Sequence, residues 1–116
     1  MNMNKWYIPD CYYPSSKNGE YVSHEAICFL NVGAENANAR MTLYFENREK
    51  LGGFSVTIPA ERTIHCRMDQ IRNCDGESVP TDTPYAVLVE SEAELHVQYT
   101  RVDTTQAQLA IATTII

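Results

Sequence analysis

The segment PAERTIHCR, residues 59–67, alternates in the manner of a half-buried β-strand. Its apolar and polar residues separate onto two faces. One face carries Ile64, Cys66 and the following Met68, and the other carries Thr63, His65 and Arg67. Strand geometry spaces residues of one face by about 7 Å, so the hydroxyl, imidazole and guanidinium groups can converge on one bound molecule or one partner surface. The segment therefore predicts a strand with one core face and one binding face.

Similar strand patterns recur along the chain, with turn-forming residues between them. The other predicted strands are 5–8, 20–31, 40–46, 54–58, 85–89 and 95–101, and the loops are 9–14, 32–39, 46–53 and 73–84, with a single helical turn at 68–72. The tail is ambiguous, because 103–106 looks like a helix start while 109–116 is rich in β-branched residues, and we predict a strand there. About eight strands without a long amphipathic helix predict an all-β fold, an antiparallel β-sandwich or a jelly roll.

Length and charge limit the class of protein. The 116 residues fit a single domain over residues 1–116. A net charge of −6 argues against general binding to nucleic acid or to an anionic membrane, since both partners require clustered Lys and Arg. The first ten residues lack the apolar core of a secretion signal, so we expect a cytoplasmic location.

Cysteine spacing and the absence of catalytic motifs favour a binding protein over an enzyme. Cys28 and Cys66 lie in apolar strand patterns, where a reduced thiol packs as a small hydrophobic group. The four cysteines form no C-x2-C pair, and we expect no metal site and no cofactor. No serine occupies a nucleophile elbow and no pair of carboxylates is placed for catalysis, so we predict no catalytic residues.

Two predicted strands are apolar on both faces. These are residues 26–30 and 85–89, although no helical layer is predicted that could cover a second face. An uncovered apolar sheet face would promote aggregation, and another subunit would cover it. The pattern therefore predicts a homo-oligomer.

Three motifs resemble the sensory rhodopsin transducer family. They are SHEAICFLNVG at 23–33, PAERTIHCR at 59–67 and QYTRVDTTQA at 98–107, preceded by a Trp-x-Ile opening at Trp6 and Ile8. The resemblance implies a soluble cytoplasmic β-sandwich that forms a homotetramer and relays a signal from a membrane photoreceptor, or from another cytoplasmic signalling protein. The implied fold also looks like that of carbohydrate-binding and other small-ligand sandwiches.

The resemblance also implies a set of functional positions. Those that match the polar motifs of the family, and that we take as ligand- or partner-binding candidates, are His24, Glu25, Arg62, Thr63, His65, Arg67, Gln98, Arg101 and Asp103. Two functions remain open for them. The first is a signalling adaptor that acts by protein–protein contact, and the second is a module that binds a small sugar or anion in a site lined by His and Arg.

The same residues also allow a structural interpretation. Arg62 and Arg101 could pair with Glu25 and Asp103 and stabilise the sandwich or its subunit interfaces, because ion-pair networks leave the same sequence signal. By strict alternation Arg101 falls on the side of Val97 and Tyr99, so that it requires a strand end or a bulge to join His65 and Arg67.

Overall fold

The computed structural model describes residues 3–15, 23–103 and 110–116, which form two antiparallel sheets. The strands are β1 (Asn4–Cys11), β2 (His24–Asn31), β3 (Ala37–Phe45), β4 (Leu51–Ile58), β5 (Arg62–Arg67), β6 (Tyr85–Ser91), β7 (His96–Asp103) and β8 (Ala110–Ile115). The first sheet has the order β1-β6-β3-β4 and the second the order β5-β2-β7-β8. The predicted antiparallel β-sandwich of about eight strands is confirmed.

The core lies between the two sheets because alternate residues of each strand point inward. Ile27 and Phe29 of β2 are fully buried, and Met41 and Leu43 of β3 and Val89 of β6 belong to the same buried cluster from the other sheet. Burial of such side chains stabilises the fold by about 1.5–3 kcal/mol each. The two strands that were predicted to be apolar on both faces are β2, an inner strand of one sheet, and β6, an inner strand of the other. One face of each lines this core, and the other face points outward.

Three predicted loops are shorter than the sequence indicated. β3 begins at Ala37, inside the predicted loop 32–39, because Ala37 and Ala39 face the core although alanine is a weak strand former. β4 begins at Leu51, inside the predicted loop 46–53. β1 continues to Cys11 through the predicted loop 9–14, and a register shift between Ile8 and Cys11 accommodates the proline at position 9.

The remaining boundaries agree with prediction to within a few residues. β2 begins at His24, and residues 20–22 of the predicted strand 20–31 lie outside the described part of the chain. β8 confirms the predicted strand over Ala110–Ile115, whereas residues 104–109 also lie outside the description. At 68–72 the chain makes one turn, in which the main-chain N–H groups of Gln70 and Ile71 donate to the carbonyl of Arg67 at 3.1 and 3.2 Å.

Buried Asn73 anchors the connection 73–84 to β4. Its Nδ2 donates to the carbonyl of Gly52 at 3.0 Å, and its Oδ1 accepts from the N–H groups of Asp75 and Glu77 at 3.1 and 2.8 Å. Next to it, the N–H of Cys74 donates to the carbonyl of Gly53 at 3.0 Å. These bonds hold the first part of the connection against the sheet.

Gly53→Ala should destabilise the protein more than Gly76→Ala. Both glycines have positive φ, at 86° and 80°, which costs an alanine about 1 kcal/mol. A Cβ at Gly53 would also lie 2.7 Å from Cys74 Sγ, whereas a Cβ at Gly76 meets no atom within 4 Å in the described structure. We expect a loss of about 2–3 kcal/mol at Gly53 against about 1 kcal/mol at Gly76, measured by urea unfolding. Equal losses would show that the contact with Cys74 carries no cost.

Candidate functional site

The outward side of the β5-β2-β7-β8 sheet carries the polar residues of the segment 59–67. Thr63 and His65 are exposed and Cys66 is buried, so the predicted alternation is confirmed. We call this surface the histidine face, because the three histidines of the chain, His24, His65 and His96, all lie on it, as the register and alternation of their strands show. Its other outward residues include Arg67, Ala26, Cys28, Leu30, Gln98 and Ile115.

Strand register brings members of two predicted motifs into one row of the histidine face. His65 pairs with Cys28, which pairs with Gln98 on the next strand. His65 and Gln98 are therefore two strand spacings apart, about 10 Å, with the Cys28 thiol between them. Leu30 and Ile115 on the same face are 42% and 84% exposed, so that polar and apolar groups alternate across it.

Arg67 and Thr63 on this face already have partners within the chain. Nε and Nη2 of Arg67 each donate to a carboxylate oxygen of Asp69 at 2.7 Å, a bidentate pair that raises the pKa of Arg67. Thr63 Oγ1 donates to the carbonyl of Phe29 at 3.1 Å. Asp69 thus occupies the Nε–Nη2 edge of this guanidinium.

The other predicted residues lie elsewhere, so the nine candidates do not form one cluster. Glu25 and Arg101 point to the inside of the sandwich, as strict alternation indicates for Arg101. Asp103 is the last residue of β7 and pairs in register with Ala110. Arg62, at the start of β5, is exposed, and its Nη1 donates to the carbonyls of Glu61 at 3.0 Å and Ala60 at 3.5 Å.

Glu25 is the most deeply enclosed charged residue among those described. Its side chain is 0% exposed and accepts hydrogen bonds from the hydroxyls of Tyr85, at 2.5 Å, and Tyr99. The main-chain N–H of Tyr12 donates to Oε2 at 2.7 Å, and Arg101 Nε lies 3.9 Å from that oxygen. The ion pair between Arg101 and Glu25 that the structural interpretation required is therefore present.

Burial dominates the electrostatics of this cluster. Removal from water raises the pKa of Glu25, whereas the hydrogen bonds from Tyr85, Tyr99 and Tyr12 act in the opposite direction. Burial and the nearby Glu25 carboxylate raise the pKa of both tyrosines and of Cys11, which holds these groups in their protonated form. The tyrosines therefore serve Glu25 as hydrogen-bond donors.

Arg101 joins the buried cluster to the surface. Its Nε donates to the Tyr99 hydroxyl at 3.2 Å, and its guanidinium carbon lies 5.9 Å from the centre of the Tyr99 ring. Beside it, a cavity of about 250 Å³ opens between β1, β7 and β8. A groove of about 990 Å³ at the other end of β2 is lined by residues 31–38 and 91–94 with Met3 and Arg40, and contains none of the nine candidates.

Sequence reasoning missed the tyrosines that hold Glu25, and Asp69, which holds Arg67. A signal for the tyrosines was present, because Glu25 shares its strand face with Ile27 and Phe29 while Tyr85 and Tyr99 occupy core positions of their own strands. A buried tyrosine hydroxyl requires a partner, and a buried carboxylate requires donors. Asp69 follows the strand by two residues, and only the turn at 68–72 brings it back to Arg67.

No described segment forms a helix with the length and apolar character needed to cross a bilayer.

Comparison with known proteins identifies close likenesses. A sequence model of the family described as Anabaena sensory rhodopsin transducer matches residues 1–116. The crystal structure of Thermotoga maritima 1070 is 33% identical, with a TM-score of 0.81 over 96% of this chain and 90% of that one. The Anabaena sensory rhodopsin transducer is 35% identical, with a TM-score of 0.73 over 82% of this chain and 92% of that one. The search of curated proteins found no match.

Proposed function

Because the chain belongs to the sensory rhodopsin transducer family, we propose that it is a non-enzymatic signalling adaptor that acts in the cytoplasm by contact with another protein. The observation that carries the proposal is the histidine face, a broad sheet surface on which exposed Leu30 and Ile115 lie among Thr63, His65 and Gln98. Mixed polar and apolar surfaces of this kind suit a reversible protein interface.

The partner that fits is the cytoplasmic side of a membrane photoreceptor. Cytoplasmic loops of membrane proteins carry an excess of Lys and Arg, and this chain has a net charge of −6. Opposite net charges speed the encounter of two proteins, whereas the anionic lipid around the receptor repels an acidic adaptor. The charge therefore favours the receptor loops over the bilayer itself.

Self-association would use the outward side of the other sheet. There Tyr7 and Tyr44 are 63% and 41% exposed, and Leu88 lies in register between Tyr7 and Thr42. We call this surface the tyrosine face. Its charged row of Lys5, Glu90 and Arg40 has opposite charges side by side and a net charge of +1, so this face does not share the negative excess of the chain. Aromatic residues with few charges are typical of the centre of an interface.

Size-exclusion chromatography with light scattering tests the assembly. We expect the wild-type protein to have four times the 13.1 kDa mass of the chain, and Leu88→Glu to have a smaller mass, because a charge would be buried at the centre of the tyrosine face. Ala34→Glu is the control, since it adds the same charge at an exposed position in the loop between β2 and β3, away from this face, and should leave the mass unchanged. An unchanged mass for Leu88→Glu would exclude the tyrosine face as the subunit contact.

Binding to a microbial rhodopsin in lipid nanodiscs tests the adaptor role. Leu30→Glu should weaken binding at least tenfold, because it places a charge at the contact. Lys50→Gln makes the same change in net charge at an exposed loop position away from the histidine face and should change binding less than twofold. Equal effects of the two substitutions, or no binding by the wild-type protein, would contradict the proposal.

The alternative function is a small-ligand module built on His65 and Arg67. It has less support on the histidine face, because the Arg67 guanidinium is already paired with Asp69. The cavity beside Arg101 supports ligand binding at a different place.

A further inference from the structure

The cavity beside Arg101 combines the charged groups of Arg101 and Asp10 with mainly apolar walls. Ile8 and Pro9 of β1 form one side, and Ala112, Thr114 and Ile116 form the other. Tyr99 and Arg101 of β7 lie between these two sides, and Asp10 also borders the cavity. A volume of about 250 Å³ equals that of about eight water molecules at about 30 Å³ each, which is room for a small organic molecule.

The guanidinium of Arg101 is oriented before any ligand arrives. Its Nε is held by the Tyr99 hydroxyl, which is held in turn by buried Glu25. A guanidinium fixed in this way loses little freedom when it binds an anion, and its planar edge suits a carboxylate. The Arg101 side chain is 25% exposed, so it combines this fixed position with access from outside.

The remaining contacts of Arg101 are weak enough to yield to a ligand. Nη2 lies 3.4 Å from the main-chain oxygen of Asp10 and 3.5 Å from its Oδ1. The Asp10 side chain is 91% exposed, and an exposed ion pair of this length contributes little. A carboxylate that enters the cavity can therefore replace Asp10 on Nη2, and the exposed Asp10 side chain can turn into solvent.

From these features we propose that the cavity binds a small organic carboxylate with a short apolar chain. The carboxylate lies on the Nη edge of Arg101, and the chain packs against Ile8, Pro9, Ala112 and Ile116. The proposal gives a place and a ligand class to the small-ligand alternative. It does not depend on the adaptor role, which uses the outward side of the sheet.

Isothermal titration calorimetry with butyrate tests the site. Butyrate should bind with millimolar or better affinity, while neutral butyramide and inorganic phosphate should bind at least tenfold more weakly, because the first lacks the charge and the second the apolar chain. Equal affinity for butyrate and butyramide would overturn the role of Arg101. Equal affinity for butyrate and phosphate would overturn the role of the walls, and no binding of butyrate by the wild-type protein would overturn the proposal.

Four variants locate the binding. Arg101→Gln should weaken butyrate binding at least tenfold, and Ala112→Phe, at an exposed β8 position, should block the cavity while leaving Arg101 in place. Asp10→Asn should strengthen binding by about twofold to fivefold, because it removes the competing carboxylate. Arg72→Gln, at an exposed position outside the cavity, should leave it unchanged. Binding by Ala112→Phe at the wild-type affinity would overturn the proposal even if Arg101→Gln failed to fold.

Ala112→Phe also separates this proposal from the adaptor role. It should abolish butyrate binding and leave rhodopsin binding unchanged. Leu30→Glu should weaken rhodopsin binding and leave butyrate binding unchanged, because Ala112 and Leu30 lie on opposite sides of the same sheet.

Discussion

Glu25→Ala should lower the free energy of unfolding by about 3–5 kcal/mol. The substitution removes the acceptor of the Tyr85 and Tyr99 hydroxyls, and leaves Arg101 without its buried counter-charge. Each buried donor without a partner costs about 1–3 kcal/mol. Urea unfolding at a fixed protein concentration measures the loss, since association would also contribute to the stability.

Two control variants test whether the loss depends on the charge of Glu25 and on its buried position. Glu25→Gln keeps the volume and one acceptor oxygen, so it should cost less, about 1–3 kcal/mol. Glu35→Ala removes an exposed carboxylate and should change the stability by less than about 0.5 kcal/mol. A loss below about 1 kcal/mol for Glu25→Ala would mean that the buried cluster does not hold the two sheets together.

Phe29→Ala should also cost about 3–5 kcal/mol, by a different mechanism. Phe29 is 0% exposed on an inner strand of its sheet, and its strand neighbours Ile64 and Val97 cannot close the space that a lost ring would leave. The adjacent Leu30 is the matched control. It points outward and is 42% exposed, so that Leu30→Ala should cost less than about 1 kcal/mol.

The same unfolding experiment compares the two residues directly. Similar losses for Phe29→Ala and Leu30→Ala at low protein concentration would contradict the inward and outward assignment of β2. A cost for Leu30→Ala that grows with protein concentration would instead indicate that a second subunit covers the histidine face.

The fold was predictable where alternation is strong and uncertain where side chains are small. In the segment 59–67 both the strand and the direction of its two faces were predictable, because apolar Ile64 and Cys66 alternate with polar Thr63 and His65. The start of β3 was missed, since Ala37 and Asn38 have weak strand propensity and only the opposite sheet makes Ala37 a core residue.

The candidate site was only partly predictable, because register and tertiary contact decide which polar residues meet. Alternation correctly separated Arg101 from His65 and Arg67. Alternation could not show that Glu25 accepts a hydrogen bond from Tyr85, which lies in the other sheet and 60 residues further along the chain. The cavity was likewise beyond prediction, since its sides come from both ends of the chain.

The register shift in β1 divides the site into parts that can change independently in evolution. Pro9 and Asp10 lie where two residues of β1 oppose only Ala86 of β6, so that their replacement leaves the ladder on either side intact. Glu25 and its tyrosines, by contrast, are bound into both sheets. A lineage descended from this protein can therefore alter the entrance to the cavity by changing two residues while it inherits the buried frame unaltered.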